Sequence, residues 1–231
     1  MKKKLNVLLK LFLRLAVYFF IFSILLVVIY RFIPPPFTFL MIQRCVEQKI
    51  DGKEMKLNKD WVPMEKISSS MVLAVITSED QKFEEHSGFD FDAIEKAQKY
   101  NERKKGKKVK GASTISQQTA KNVFLWPARS YIRKGFEVYF TFLIEMLWSK
   151  ERIMEIYLNE IEMGDGIYGV EAAAQTYFHK PASKLGLSEA ALIAACLPNP
   201  IKWSPAKPTV YINKKKTWIL RHINWIEKPD W

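Results

Sequence analysis

The stretch Glu79-Asp80-Gln81-Lys82-Phe83-Glu84-Glu85-His86-Ser87-Gly88-Phe89-Asp90 follows an apolar run, Met71-Val72-Leu73-Ala74-Val75-Ile76. A carboxylate at the end of a buried segment sits where desolvation can raise its pKa, and a carboxylate so tuned can act as a general base. The stretch holds two candidate bases, Glu79 and His86. A lone His can equally be a structural partner. A polar cassette follows in the same domain, Gly111-Ala112-Ser113-Thr114-Ile115-Ser116-Gln117-Gln118-Thr119-Ala120-Lys121-Asn122.

Outward from these two segments the chain reads as helices. Ser113 is the expected N-cap of a helix running to about Leu125, ended by Pro127. Arg133 to Trp148 carries a long apolar face, and Lys150 to Asn159 a shorter one with Ile153, Ile156, Tyr157 and Leu158. Gly164, Gly166 and Gly169 break the pattern. Ser188 is the expected cap of a Glu189–Leu197 helix stopped by Pro198, and Asn213 to Ile226 reads as the last helix. Alternating segments are few, and there is neither an internal repeat nor a Gly-rich phosphate loop. The expected fold class is all-α (mainly α), a compact helical domain.

Upstream, Leu15 to Tyr30 contains no charged residue, and with its flanks the apolar segment 11–33 is long enough to span hydrocarbon as a helix. Arg14 and Arg31 can snorkel at its ends. Lys2, Lys3, Lys4 and Lys10 precede it, so the positive-inside rule places a tail, 1–10, in the cytoplasm and the rest of the chain outside it. A cleaved signal peptide is the rival reading, but no small-residue cleavage site follows the run, only Pro34-Pro35-Pro36-Phe37. The prolines form a stiff joint. Phe37 to Ile42 is too short to cross again and packs on the domain or lies at the membrane surface. This assigns 34–60 as linker and membrane-proximal segment and 61–231 as the catalytic domain.

The formal net charge of +12 suits an anionic partner: nucleic acid, a membrane surface or a phosphorylated substrate. The anchor weighs against nucleic acid. So does the densest basic run, Arg103 to Lys110, which has no interleaved aromatics. That run is a solvated loop or an attractor for an anionic head group. The two cysteines, Cys45 and Cys196, lack metal-ligand spacing, and Cys196 reads as a small buried hydrophobe.

Helical spacing puts Ser113, Gln117 and Lys121 on one stripe, with Gln118 and Asn122 beside it. Such a face is either solvated or suited to hydrogen bonding sugar hydroxyls and amides, with Lys121 as a point charge for phosphate. Arg133 and Glu137, with Lys134 between them, form a surface ion pair or border a cleft. Glu155 and Asn159, also four apart, pack internally or contact substrate.

These residues resemble the peptidoglycan glycosyltransferases of the lysozyme-like type, the family 51 glycosyltransferases. The first motif, Glu-Asp-x-x-Phe-x-x-His-x-Gly, is matched by Glu79, Asp80, Phe83, His86 and Gly88. The second is matched by Gly111 to Asn122, the third, Arg-Lys-x-x-Glu, by Arg133, Lys134 and Glu137, and the fourth by Lys150 to Asn159. A later Ala-Ala-x-x-Ala stretch ending in Pro matches Ala190 to Pro200. The likeness covers roughly Trp61 to Trp203. Since this sequence ends at Trp231, it looks like the monofunctional form, without a transpeptidase domain.

The resemblance implies polymerisation of lipid II, a disaccharide-pentapeptide on undecaprenyl pyrophosphate. The 4-hydroxyl of lipid II attacks the growing chain and expels its lipid pyrophosphate, forming a β-1,4 bond. By this analogy Glu79 is the general base and Glu137 assists at the donor side. Lys121 and Arg133 stabilise the leaving diphosphate. Asp80, Phe83, Ser113, Gln117, Gln118, Asn122, Lys134, Glu155 and Asn159 bind substrate, while His86 and Gly88 are structural neighbours. No cofactor is required and no permanent metal site is expected, though Mg²⁺ or Mn²⁺ can stimulate such enzymes. The expected partners are lipid II, the growing glycan, the membrane and other cell-wall synthesis proteins. The expected location is the cytoplasmic (inner) membrane, single-pass, with the catalytic domain on the periplasmic side. A lytic hydrolase working with paired carboxylates is the rival enzyme reading. A non-catalytic scaffold is the other.

Overall fold

The computed structural model describes residues 2–104, 110–128 and 130–231, with side chains from residue 6 onward. Most of the basic run around Arg103 to Lys110 lies outside the described residues. The chain divides into two units, Met1–Pro34 and Pro35–Trp231.

The first unit is one helix, α1 (Lys2–Phe32). Its segment Asn6–Phe32 has 27 residues and a mean hydropathy of 2.6. At 1.5 Å per residue this is about 40 Å, longer than the roughly 30 Å hydrocarbon core of a bilayer. It is long and apolar enough to cross a membrane.

The second unit is built from α2 (Phe39–Ile50), α3 (Ser69–Glu79), α4 (Phe91–Arg103), α5 (Ile115–Phe124), α6 (Tyr131–Leu147), α7 (Lys150–Glu160), α8 (Val170–Phe178), α9 (Leu187–Cys196) and α10 (Val210–His222). Most starts are fixed by a side-chain oxygen accepting from the N3 backbone N–H: Ser68 from Met71, Asp90 from Ala93, Ser130 from Arg133, Ser149 from Arg152 and Thr209 from Ile212. The cap of α5 is Thr114, one residue beyond the expected Ser113. Thr114 and Gln117 form a reciprocal capping box, which Ser113 could close only with Ser116, a residue too short to reach back. Likewise α9 starts at Leu187 rather than after Ser188, because Glu189 accepts from the Gly186 N–H at 2.9 Å.

Two packing layers place the site. α3 lies against α9 and α10, and α5 lies against α6 and α7. The second layer is closed by Phe124 stacked on Phe140 at 4.6 Å. Phe83, Ile115, Ile153 and Tyr157 are fully buried between the motifs.

A small sheet of order β1-β3-β2 joins Asn58–Lys59 (β1) in parallel with Ile167–Tyr168 (β3), and Glu162–Gly164 (β2) antiparallel to it. The glycines that break the helical pattern build this corner. Gly166 has φ +71°, and a Cβ there would sit 2.4 Å from the Lys56 carbonyl oxygen. β1 ties the segment read from sequence as linker into the same compact unit. Arg44 pairs with Glu162 at 3.2 Å, and Lys59 with Glu160 at 2.6 Å, while Lys59 Nζ also donates to the Pro35 carbonyl at 2.8 Å. Burial pushes the Glu160 carboxyl up to about 7 despite the Lys59 charge.

Candidate active site

The opening stretch leaves α3 through two carboxylates with different fates. Asp80 caps the helix and is buried. His86 Nε2 lies 2.9 and 3.0 Å from its two oxygens, and the Ile115 N–H donates to one of them at 3.0 Å. The Gly88 N–H donates to His86 Nδ1 at 3.1 Å, which assigns the ring proton of that tautomer to Nε2, facing Asp80. Gly88, at φ +88°, could not carry a Cβ without meeting Thr141 at 2.8 Å, and its carbonyl accepts from Thr114 Oγ1 at 2.7 Å. Phe83 is 0% exposed, with Lys150 Nζ 4.7 Å from its ring centre. Asp80 and Phe83, read from sequence as substrate contacts, therefore join α3 to the start of α5. Their polar capacity and surface are consumed inside the protein.

Glu79 is placed differently. It ends α3 with one carboxylate oxygen accepting from Ser78 Oγ at 3.1 Å and the other from Gln118 Nε2 at 3.2 Å. Gln118 belongs to α5, so that helix carries the contact one turn onward to Lys121 and Asn122. Tyr157 stands behind, its hydroxyl 3.4 Å from Gln118 Oε1. Burial, with the Glu79 and Asp80 charges adding to it, holds that hydroxyl well above the usual tyrosine range.

Lys121 is the hinge of the site. Burial lowers its pKa first, Glu137 and Glu79 oppose this by attraction, and Arg133 and Lys134 add to the lowering. Among the described residues its ammonium has no hydrogen-bond or ion-pair partner. At the start of α6, Arg133 Nη1 donates to Glu137 at 2.9 Å and Lys134 Nζ pairs with the other Glu137 oxygen. Arg133 Nε is buried without a hydrogen-bond partner among the described residues. The cluster thus holds cationic donors in excess of its one buried carboxylate. Such a cluster suits a multiply charged oxyanion.

Ser113 is exposed, Asn122 is half-buried, and Gln117 is buried in the α5 capping box. Ser113, Gln117 and Lys134 line a cleft of about 410 Å³ whose opposite wall is Ile94, Ala97 and Gln98 of α4. The last pair, Glu155 and Asn159, points elsewhere. Asn159 is fully buried and exchanges two bonds of 2.9 Å with the Val62 backbone, and Glu155 accepts from the Met64 N–H at 3.2 Å. Both staple the 62–64 segment rather than reach a ligand.

One residue escapes the sequence reading. Lys215 of α10 puts Nζ 3.8 Å from Glu79, and burial lowers its pKa while the Glu79 charge opposes this. Its signal was its register: Lys215 falls between the buried Ile212 and Ile219, on the inward face of α10.

Among the described residues no three His, Cys, Asp or Glu side chains gather as metal ligands. Both Glu137 oxygens already accept from cations. This donor set does not fit a divalent ion.

Fold and site together define a mainly helical domain in which the Glu79 carboxylate ends α3 within electrostatic reach of Lys121 and beside Lys215. Comparison with known proteins makes this specific. The sequence model of the family described as Transglycosylase matches residues 46–224. A biosynthetic peptidoglycan transglycosylase of Bacteroides thetaiotaomicron is 56% identical over 93% of this chain and 86% of its own length. Proteins of the same description from Pseudomonas syringae pv. syringae and Pseudomonas putida are 51% and 48% identical, over 87% and 94% of this chain and 84% and 92% of theirs. The chain belongs to the transglycosylase family.

Proposed function

We propose that this chain polymerises glycan strands of peptidoglycan from a lipid-linked disaccharide, lipid II, with loss of the lipid diphosphate. The observation that carries this is Lys121: a half-buried ammonium, without a hydrogen-bond or ion-pair partner among the described residues, within electrostatic reach of both Glu79 and Glu137. A diphosphate against Lys121, Arg133 and Lys134 would supply the missing anion. It would also satisfy the orphan Arg133 Nε.

In this reading Glu79 takes the proton of the attacking sugar hydroxyl as oxygen bonds to the anomeric carbon and the bond to the diphosphate breaks. The departing negative charge develops against cations already in place, so little reorganisation is needed at that moment. Glu137 holds Arg133 and Lys134 in position. Gln118 orients Glu79, Ser113 in the cleft wall binds the sugar, and the half-buried Asn122 assists it from the next turn of α5. The lysines before α1 support a cytoplasmic N-terminus and a catalytic unit on the outer side of the cytoplasmic membrane.

The test is purified lipid II with and without chelator. The wild-type chain is expected to form polymer in both, and Glu79→Gln in neither, with an unchanged melting temperature. Normal polymer from Glu79→Gln, or release of fragments from finished peptidoglycan in place of polymerisation, would overturn the reading.

A further inference from the structure

α6 buries Glu137, Phe140, Thr141 and Ile144 on one side. Its other side is a row four residues apart: Lys134, Val138, Phe142 and Met146. Val138, Phe142 and Met146 are 44%, 58% and 59% exposed. From Lys134 to Met146 the row rises about 18 Å along the helix. After Lys134 it carries no charge. An amphipathic helix on a water-facing surface should carry polar residues here. An apolar row that starts at a phosphate-binding cation has a different use.

Gly135 adds an independent sign. It lies in the second turn of α6, exposed, and a Cβ added there would meet nothing within 4 Å. No neighbour among the described residues requires a glycine, yet glycine inside a helix costs about 1 kcal/mol relative to alanine. Glycine at such a point leaves a flat lane for close approach of something outside the chain.

We propose that this outward row of α6, with Gly135 beside it, seats the first part of the polyprenyl chain of the lipid-linked donor. The inference rests on the reading that the donor's diphosphate lodges against Lys121, Arg133 and Lys134. The hydrocarbon is covalently continuous with that diphosphate, and the apolar row is continuous with the cation that would hold it. The occupant is therefore the substrate's own chain, and bulk bilayer lipid is the alternative the experiment excludes.

The full chain in lipid nanodiscs is photolabelled with undecaprenyl diphosphate carrying a diazirine in its first isoprene units, and adducts are mapped by mass spectrometry. Adducts are expected on residues 135–146, suppressed by excess unlabelled undecaprenyl diphosphate and not reproduced by a diazirine phospholipid. Suppressible adducts confined to other elements would overturn the inference and leave the diphosphate reading standing. Equal labelling of α6 by the phospholipid would assign the row to the bilayer and overturn it too. Absence of any suppressible adduct would overturn both. In a second measurement, Gly135→Leu is expected to raise KM for lipid II severalfold while the melting temperature holds or rises. An unchanged KM would count against the flat lane.

Discussion

α5 and α7 carry the same kind of signal and spend it in opposite ways. Each presents polar residues four apart, Gln118 and Asn122 on one, Glu155 and Asn159 on the other. On α7 both are covered by the chain itself, where Val62 and Met64 take their bonds. On α5, Gln118 reaches Glu79, Asn122 stays half-buried, and Lys121 between them is left without a partner among the described residues. Spacing selects a face of a helix, and only the segment packed over that face decides whether it serves stability or a ligand. The α7 pair is satisfied within the chain, whereas Lys121 on α5 is partly desolvated and short of partners among the described residues.

Substitutions on the two helices and the groups they face should separate these roles. The largest effect is expected at Glu79. Glu79→Gln should lower the polymerisation rate about a thousandfold, the scale of a positioned general base, with circular dichroism and melting temperature unchanged. Lys121→Met should cost roughly a hundredfold in the same assay, as loss of one preorganised charge does. Lys121→Arg should keep much of the rate and alter its pH profile. Lys121 is held below the ordinary lysine value. Its charge is present at lower pH and lost as pH rises through that lowered value. The alkaline limb should therefore move upward when arginine replaces it. On α7 the outcome should invert. Asn159→Ala strands the Val62 N–H and carbonyl and should cost about 2–3 kcal/mol of stability in denaturant melts, with the rate per folded molecule nearly intact. A stable Asn159→Ala protein that cannot polymerise would break the comparison.

Much of this division was legible in the chain before its structure. The helices and the apolar segment 11–33 follow from period and length. Glu79 and the Lys121/Arg133/Glu137 cations and carboxylate stand out by motif. Less could be read where the answer lay with distant partners. β1 has two residues, too few to alternate, and pairs with a strand more than a hundred positions on. Asp80 and Phe83 share the motif with Glu79, yet nothing local distinguishes a carboxylate that accepts from the Ile115 N–H at the start of α5 from one that accepts from Gln118 a turn further on. Thr114 displaced Ser113 as cap because the reciprocal bond needs a Gln three residues on. Lys215 lay hidden in a run of three lysines, in register with Ile212 and Ile219, and composition alone does not say which of the three reaches Glu79.

Glu160, at the end of α7, extends the contrast to pH. Its folded pKa of about 7 lies above the ordinary glutamate value. The proton it holds favours the folded state at acid pH, and that contribution is fully present below the unfolded value near 4.5 and lost as pH rises through about 7. Wild-type stability should accordingly fall by on the order of 3 kcal/mol between pH 4.5 and 8 from this group. Glu160→Gln should remove that slope in urea melts while leaving polymerisation at pH 7 intact. A slope that persists in Glu160→Gln would place its origin in another group.

Lys215 should give the smallest effect and the finest test, because it acts on the site without belonging to α5 or α7. Its ammonium is 3.8 Å from Glu79, beyond hydrogen-bond length, so it contributes charge rather than a fixed bond. Lys215→Met should lower kcat roughly tenfold with KM for lipid II nearly unchanged, the mark of a group that favours the reacting arrangement and not the resting complex. Lys215→Arg should restore the rate, since only the charge and its place on the inward face of α10 are required. If the rise is instead in KM, Lys215 touches substrate, and the cationic wall of the cleft extends past Glu79 onto α10.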